Sequence, residues 1–139
     1  MSDKNKYSAV NRSTTRLRYH IELYFKYRKN LSRVIGEDSV KRLLESAVGK
    51  CSGVKLHAIG IDKNHVHIVV SCPPYWSPSS LIGRIKQLST HRAWDKYGGE
   101  LSTVYYKKKR MLWSDGFFCE TIGNVSKDKV LDYVKNQGC

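Results

Sequence analysis

The residues best suited to chemistry in this 139-residue chain are two histidines in the run His65-Val66-His67. The surrounding run HVHIVVSC is typical of a strand, in which alternate side chains share one face. We therefore expect both imidazoles on one side, with Cα atoms about 6.6 Å apart after two strand rises, and Val66 in the core. Two imidazole nitrogens at this spacing can converge on one divalent ion. The alternative is two polar residues on an exposed sheet face.

A second pair of candidates, Tyr133 and Gln137, lies on a short helix predicted over residues 126–137. The two side chains are four residues apart, so they share one face of that helix. Periodicity by itself favours a buried tyrosine that packs the helix onto a sheet. The functional alternative is a nucleophile, and a phenol with a pKa near 10 attacks poorly unless a metal-polarised phosphate helps it.

The charge of the chain indicates a polyanionic partner. Lys and Arg number 25 against 12 Asp and Glu, which gives a formal net charge of +13. Nucleic acid and an anionic membrane are the usual partners of such a chain. No apolar run approaches the roughly 18 residues that a membrane span needs, so we expect no membrane association and favour nucleic acid. A merely soluble basic protein is the alternative.

The cysteines and the N-terminus indicate a cytoplasmic protein. No two of the four cysteines, at positions 51, 72, 119 and 139, have the spacing of a CxxC site. Residues 1–18 are polar and contain no apolar signal-peptide core. We expect reduced thiols and no zinc site built on them. Residues 1–15 are expected to form a mobile basic lead-in to a single domain that occupies residues 1–139.

The pattern of elements predicts an α+β fold. Strands are expected at residues 19–27, 54–61 and 65–72, with amphipathic helices at 39–48 and from Pro78, where Ser77 is the expected N-cap. Residues 101–107 and 111–118 are weaker strand candidates, and 118–122 can continue as a strand. Hairpins mixed with helices favour an antiparallel sheet with helices on one face, in the ferredoxin-like or RRM-like manner, followed by the C-terminal helix.

Five segments together resemble one known family, the single-tyrosine HUH transposases of the insertion-sequence 200/605 group (transposase A type). The similarity runs from Tyr19 to Gln137. The segments are YHIELYFKYRKNL, DKNHVHIVVSCPP, PSSLIGRIKQLSTHRAW, LWSDGFFCETIG and VLDYVKNQ. HVH alone is a weak motif, but these segments in this order are specific to the family.

The resemblance implies a role for each matching residue. His65 and His67 correspond to two ligands of Mg²⁺ or Mn²⁺, Gln137 to the third ligand, and Tyr133 to the nucleophile; Asn64 or Asp62 is a minor candidate for assistance nearby. The implied reaction is metal-dependent cleavage and rejoining of single-stranded DNA through a 5′-phosphotyrosine. The family implies a homodimer whose active sites are shared between subunits, and recognition of DNA hairpins at transposon ends.

The basic residues are the expected DNA contacts, since cations neutralise phosphates and nearby aromatic rings can stack unpaired bases. They are Arg12, Arg16, Arg18, Lys26, Arg28, Lys29, Arg84, Lys107, Lys108, Lys109 and Arg110. Two alternatives stay open. One is a non-catalytic module that binds single-stranded RNA or DNA. The other is a replication-initiator or relaxase nuclease of the same superfamily.

Overall fold

The computed structural model describes residues 16–123, and these form an α+β fold. The helices and strands, numbered here in chain order, are β1 Leu17–Tyr24, α1 Leu31–Ile35, α2 Glu37–Gly49, β2 Lys55–Ile61, β3 His65–Cys72, α3 Pro78–Leu101 and β4 Phe118–Thr121. The predicted lead-in at residues 1–15 and the predicted C-terminal helix at residues 126–137 lie outside the described residues.

The four strands form one antiparallel sheet in the order β2-β3-β1-β4. This order, with α1 and α2 between β1 and β2 and with α3 between β3 and β4, is the ferredoxin-like arrangement, which confirms the predicted fold class. β1 and β3 are therefore the inner strands. Their register sets Glu22 opposite His67 and Tyr24 opposite His65. The two strands consequently bring their polar side chains together on one face of the sheet.

The opposite face of the sheet carries the main core. Ile21 and Leu23 of β1 and Val66 and Ile68 of β3 are fully buried there. The amphipathic stripe of α2, which includes Leu44, packs into the same cluster. The alternation of apolar and polar residues in β1 thus decides which face meets the helices. The remaining residues of β1 lie on the second face of the sheet, which carries the HVH histidines.

α3 begins where the sequence predicts. The Ser77 hydroxyl accepts a hydrogen bond from the backbone N–H of Ser80, and Pro78 occupies the first turn. The helix runs on to Leu101, which is fully buried at its end. Pro73 and Pro74 separate it from β3. This length is greater than the apolar stripe alone predicts.

The weaker strand predictions at residues 101–107 and 111–118 are wrong. Within this stretch, Trp113 forms a single bridge with Phe25, and β4 begins only at Phe118. The aromatic residues act instead as separate anchors. The Trp113 ring stacks on Phe25 with centroids 5.0 Å apart, and its Nε1 donates to Ser89 Oγ at 2.9 Å. The Tyr105 hydroxyl donates to the Lys26 carbonyl at 2.8 Å.

The predicted first strand is also shorter than expected, because the chain turns sharply after Tyr24. Lys26–Arg28 form a single 3₁₀ turn, and Tyr27 and Arg28 have φ values of 58° and 55°. Two successive left-handed non-glycine residues are uncommon and such strained turns are concentrated at functional sites. Across residues 16–123, no helix is both long enough and apolar enough to cross a bilayer.

Candidate metal centre and active site

The two histidines of the HVH run converge, as the alternation of a strand predicts. Their Nε2 atoms lie 2.7 Å apart, while Val66 between them is fully buried on the other face. The rings are inclined at 73° with centroids 4.5 Å apart, so the nitrogens meet at an angle rather than head-on. Two nitrogens that each lie about 2.1 Å from one ion are about 3 Å apart when their bonds meet at a right angle. The spacing fits two ligands of one ion.

His65 has its second nitrogen held by its sequence neighbour. Nδ1 of His65 lies 2.6 Å from Oδ1 of Asn64. An amide oxygen only accepts hydrogen bonds, so this contact assigns the imidazole proton to Nδ1. Nε2 of His65 is then a lone pair aimed toward His67. An outer hydrogen bond of this kind is the usual way in which a protein orients a metal-binding histidine.

His67 is almost completely buried, at 1% relative exposure, so it is not the exposed polar residue of the alternative interpretation. Burial and the neighbouring His65 lower its pKa below the usual 6.5, despite the opposing influence of Glu22. The imidazole is therefore neutral near pH 7, which is the form that binds a metal ion.

Strand β1 adds residues that lie outside the HVH motif and were not predicted as site residues. Glu22 lies across from His67, with Oε2 4.0 Å from His67 Nδ1. The Tyr24 hydroxyl donates to Glu22 Oε1 at 2.8 Å, and this bond raises the pKa of Tyr24, with burial adding to the effect. The Tyr24 ring also lies 5.3 Å from that of His65. A carboxylate thus stands beside the two imidazoles, oriented by a phenol.

His20 completes the cluster from the same strand. It is fully buried, and its Nε2 lies 3.0 Å from Nδ1 of His67. The ligand atoms of His20, Glu22 and His67 all lie within 4.8 Å of one another, so this group could hold a metal ion. Alternation places His20, Glu22 and Tyr24 on one face of the strand in the sequence. Only the pairing of β1 with β3 puts that face beside the HVH run.

The predicted basic residues occupy different surroundings. The Arg28 guanidinium lies 4.5 Å above the Tyr24 ring, next to the histidine cluster. Lys26 lies 5.6 Å from the Tyr27 ring. Arg16 donates to the Gly53 carbonyl at 2.7 Å, and Arg84 donates to a glutamine, Gln87, at 2.9 Å. The other described members are exposed or half-buried: Arg18, Lys29, Lys107, Lys108, Lys109 and Arg110.

Three predicted site residues cannot be compared with these positions. Tyr133 and Gln137, the predicted nucleophile and third ligand, lie outside the described residues, as does Arg12. The described part of the candidate site is therefore the histidine cluster. It contains His65 and His67, together with Asn64, His20 and Glu22 around them.

The fold and this cluster define a class of protein: an antiparallel α+β domain with a histidine pair on an inner strand. A family model described as "Transposase IS200 like" matches residues 13–137. The chain therefore belongs to the IS200-like transposase family, which confirms the resemblance of its sequence segments. It is a transposase, and membership of this family implies an enzyme of DNA recombination that cleaves DNA.

Similar proteins agree with this assignment. The transposases for insertion sequence element IS200 of Salmonella typhimurium and Salmonella typhi are each 28% identical to the chain over 123 residues, which are 86% of this chain and 76% of theirs. A crystal structure of a transposase candidate from Deinococcus radiodurans superimposes with a TM-score of 0.67 at 19% identity, over 91% of this chain and 94% of that one. A REP-associated tyrosine transposase bound to a REP hairpin superimposes with a TM-score of 0.57 at 16% identity, over 87% of this chain and 66% of that one. The two structural matches show a shared fold.

Proposed function

We propose that this transposase cleaves and rejoins single-stranded DNA by metal-dependent transesterification, with Tyr133 as the nucleophile. The observation that carries the proposal is the pair of Nε2 atoms, 2.7 Å apart, on His65 and His67. A protein that only binds nucleic acid does not require two imidazoles converging on one position. Membership of the IS200-like family supplies the reaction class.

His65 and His67 are the residues that would hold the divalent ion, with Gln137 as the third ligand by family resemblance. When bound, the ion would polarise a phosphate oxygen and stabilise the negative charge on the oxygens of the reacting phosphate. Mg²⁺ and Mn²⁺ are both candidates. Nitrogen ligands are better suited to Mn²⁺, because Mg²⁺ prefers oxygen donors and retains its waters.

The chain's own part of the reaction is a pair of exchanges at phosphorus. The Tyr133 oxygen attacks the scissile phosphate and loses its proton, the P–O3′ bond breaks, and the departing oxygen takes up a proton to become a free 3′-OH. The 5′ phosphate stays joined to the tyrosine. A 3′-OH from another cleaved end then attacks that phosphotyrosine, which rejoins the strands and regenerates the phenol. Each step exchanges one phosphodiester for another, so no ATP is needed.

The DNA substrate is proposed to be a hairpin at each transposon end. A REP hairpin is bound by the structurally similar REP-associated transposase, and this chain's net charge of +13 suits a phosphate backbone. Among the described basic residues, Arg28 is linked to the histidine cluster through the Tyr24 ring. A homodimer is proposed as well, with the histidines of one subunit serving the tyrosine helix of the other.

The decisive experiment traps the covalent intermediate. A single-stranded oligonucleotide that carries the end hairpin and is labelled on the 3′ side of the cut is incubated with protein and Mn²⁺, and the adduct is resolved on a denaturing gel. Tyr133→Phe should form no adduct, whereas the control Tyr75→Phe, an exposed tyrosine bonded to Ser52, should retain it. An undiminished adduct in Tyr133→Phe would refute the nucleophile assignment. DNA binding without any adduct in the unmodified protein would favour the non-catalytic module instead.

A chelator separates the role of the metal from that of the charge. Excess EDTA should abolish the adduct and leave most of the hairpin affinity, because binding is chiefly electrostatic. Gel-shift and adduct assays on the same samples make the comparison. Equal loss of binding and cleavage would indicate that the ion is structural.

A further inference from the structure

We propose that His20 is a positioning residue that holds His67 in the tautomer able to bind a divalent ion, within a hydrogen-bonded chain that ends at Glu120. This inference rests on the proposed metal-dependent function. It assigns His20 the role of an outer partner of the metal centre rather than of a metal ligand. The three residues come from three neighbouring strands, since β3 carries His67, β1 carries His20 and β4 carries Glu120.

The geometry between His20 and His67 is that of a hydrogen bond between ring edges. The two rings are within 10° of parallel, and their centroids are 5.2 Å apart. Nε2 of His20 and Nδ1 of His67 are much closer, at 3.0 Å. Because these two nitrogens are much closer together than the ring centroids, they lie on the facing edges of the two rings. Each nitrogen therefore points at the other. Two ligands of one ion would instead both point toward a third position, as the inclined rings of His65 and His67 do.

The direction of this hydrogen bond follows from the requirement that His67 bind an ion through Nε2. If His67 is to bind an ion through Nε2, its proton must be on Nδ1, which then donates to Nε2 of His20. The His20 proton must in turn be on Nδ1, which lies 3.4 Å from the Glu120 carboxylate. The carboxylate can only accept, so it favours this direction. His65, held through Asn64, already presents Nε2 as a lone pair.

The opposite arrangement would block the site. If His20 donated from Nε2, the His67 proton would be on Nε2, where it would donate to Nε2 of His65 at 2.7 Å and occupy the position of the ion. That tautomer offers no lone pair to an ion. Because His20 and His67 are 0% and 1% exposed, bulk water cannot readily replace the missing acceptor. The Phe118 ring packs edge-on against His20 at 5.9 Å and helps to fix its plane.

The test measures metal binding and tautomer in the full-length protein without DNA. Mn²⁺ affinity is determined by isothermal titration calorimetry for the unmodified protein, His20→Phe, His20→Gln and Glu120→Gln. Removal of the acceptor in His20→Phe should weaken Mn²⁺ binding about 10–100-fold. His20→Gln keeps an acceptor oxygen and should recover much of that loss. His91→Gln and Glu45→Gln, both exposed on helices, are the matched controls and should bind Mn²⁺ normally.

Imidazole ¹⁵N spectra of the Mg²⁺-saturated protein, in which an ion replaces any proton between the two Nε2 atoms, supply a readout that does not depend on any variant folding. They should show the His67 proton on Nδ1. A proton on Nε2, or His20→Phe with unchanged Mn²⁺ affinity, would overturn the inference. Unmodified protein that binds no Mn²⁺ would refute both this inference and the metal-dependent function. If the unmodified protein binds Mn²⁺ and the His20 variants bind it equally tightly, the positioning role alone is refuted.

Discussion

Replacement of Asn64 by alanine tests the hydrogen bond that orients His65 in the proposed metal centre. The Asn64 side chain accepts a hydrogen bond from Nδ1 of His65 at 2.6 Å, which leaves Nε2 free for an ion. Its backbone carbonyl independently accepts from the Phe25 N–H at 3.0 Å. The backbone bond survives the substitution, so Asn64→Ala should remove the orienting contact and leave the turn between β2 and β3 in place.

The expected magnitude follows from the exposure of the site. Loss of an outer partner typically costs 10–100-fold in metal affinity, or about 1.4 to 2.8 kcal/mol. His65 is only half-buried, so water can replace the amide oxygen and the loss should fall near the lower limit. At His20, which is fully buried, water cannot replace the lost acceptor, so His20→Phe should weaken Mn²⁺ binding more than Asn64→Ala does. The structure therefore predicts both the size of the loss in Mn²⁺ affinity and which of the two variants loses more.

Calorimetric titration with Mn²⁺ on the DNA-free protein measures this directly. Asn64→Asp is the matched control, because its carboxylate keeps an acceptor at the same place and should retain or increase the affinity. The thermal midpoint of metal-free Asn64→Ala should stay close to that of the unmodified protein. Unchanged Mn²⁺ affinity in Asn64→Ala, or equal weakening in Asn64→Asp, would show that the tautomer of His65 is not set by this contact.

Three further predictions concern charge, stability and pH. Alanine at Lys107–Arg110 should weaken hairpin binding and reduce the slope of log K against log salt by up to about 3, measured by fluorescence anisotropy, while Lys41→Ala on α2 should change little. Trp113→Phe should lower the free energy of unfolding in urea by about 1–3 kcal/mol, since it loses the bond to Ser89 and leaves a cavity; an unchanged midpoint would contradict the anchoring role. The pKa of His67 is lowered in the fold, so the unfolded chain binds the proton more readily. Stability of the metal-free protein should therefore be complete above the ordinary pKa of 6.5 and fall as the pH drops below it, until the folded pKa is passed. His67→Gln should flatten that part of a stability–pH curve, and an identical slope would argue against this residue as the cause.

The local features of the fold could be predicted because they depend on short-range rules. The N-cap at Ser77 and the proline after it predicted the start of α3 correctly. β3 has the predicted bounds, with both histidines on one face and Val66 in the core. The order of the segments predicted the family, and the family comparison confirmed it. The roles of Tyr133 and Gln137 stay predictions.

Residues 101–117 show where such rules fail. This stretch contains apolar and aromatic residues at spacings that indicate strands, yet its buried residues do not alternate along the chain: they are Leu101, Tyr105, Leu112 and Trp113. The hydroxyl of Tyr105 and the indole of Trp113 bond to Lys26 and Ser89 on other elements. A strand needs a neighbour with free backbone groups along its length. Whether one is present is a property of the whole fold, which a local window cannot report.

Alternation along each strand already predicts which side chains share a face: the two imidazoles of the HVH run on one strand, and those of His20, Glu22 and Tyr24 on another. That these two faces form one surface depends on the pairing of the strands in the folded chain. Alternation has a period of two and fixes a side chain's direction, but not its neighbours across the sheet. The antiparallel register of β1 with β3 sets Glu22 against His67 and brings His20 within 3.0 Å of it. That pairing of distant segments converts a two-histidine motif into a hydrogen-bonded cluster that could hold a metal ion.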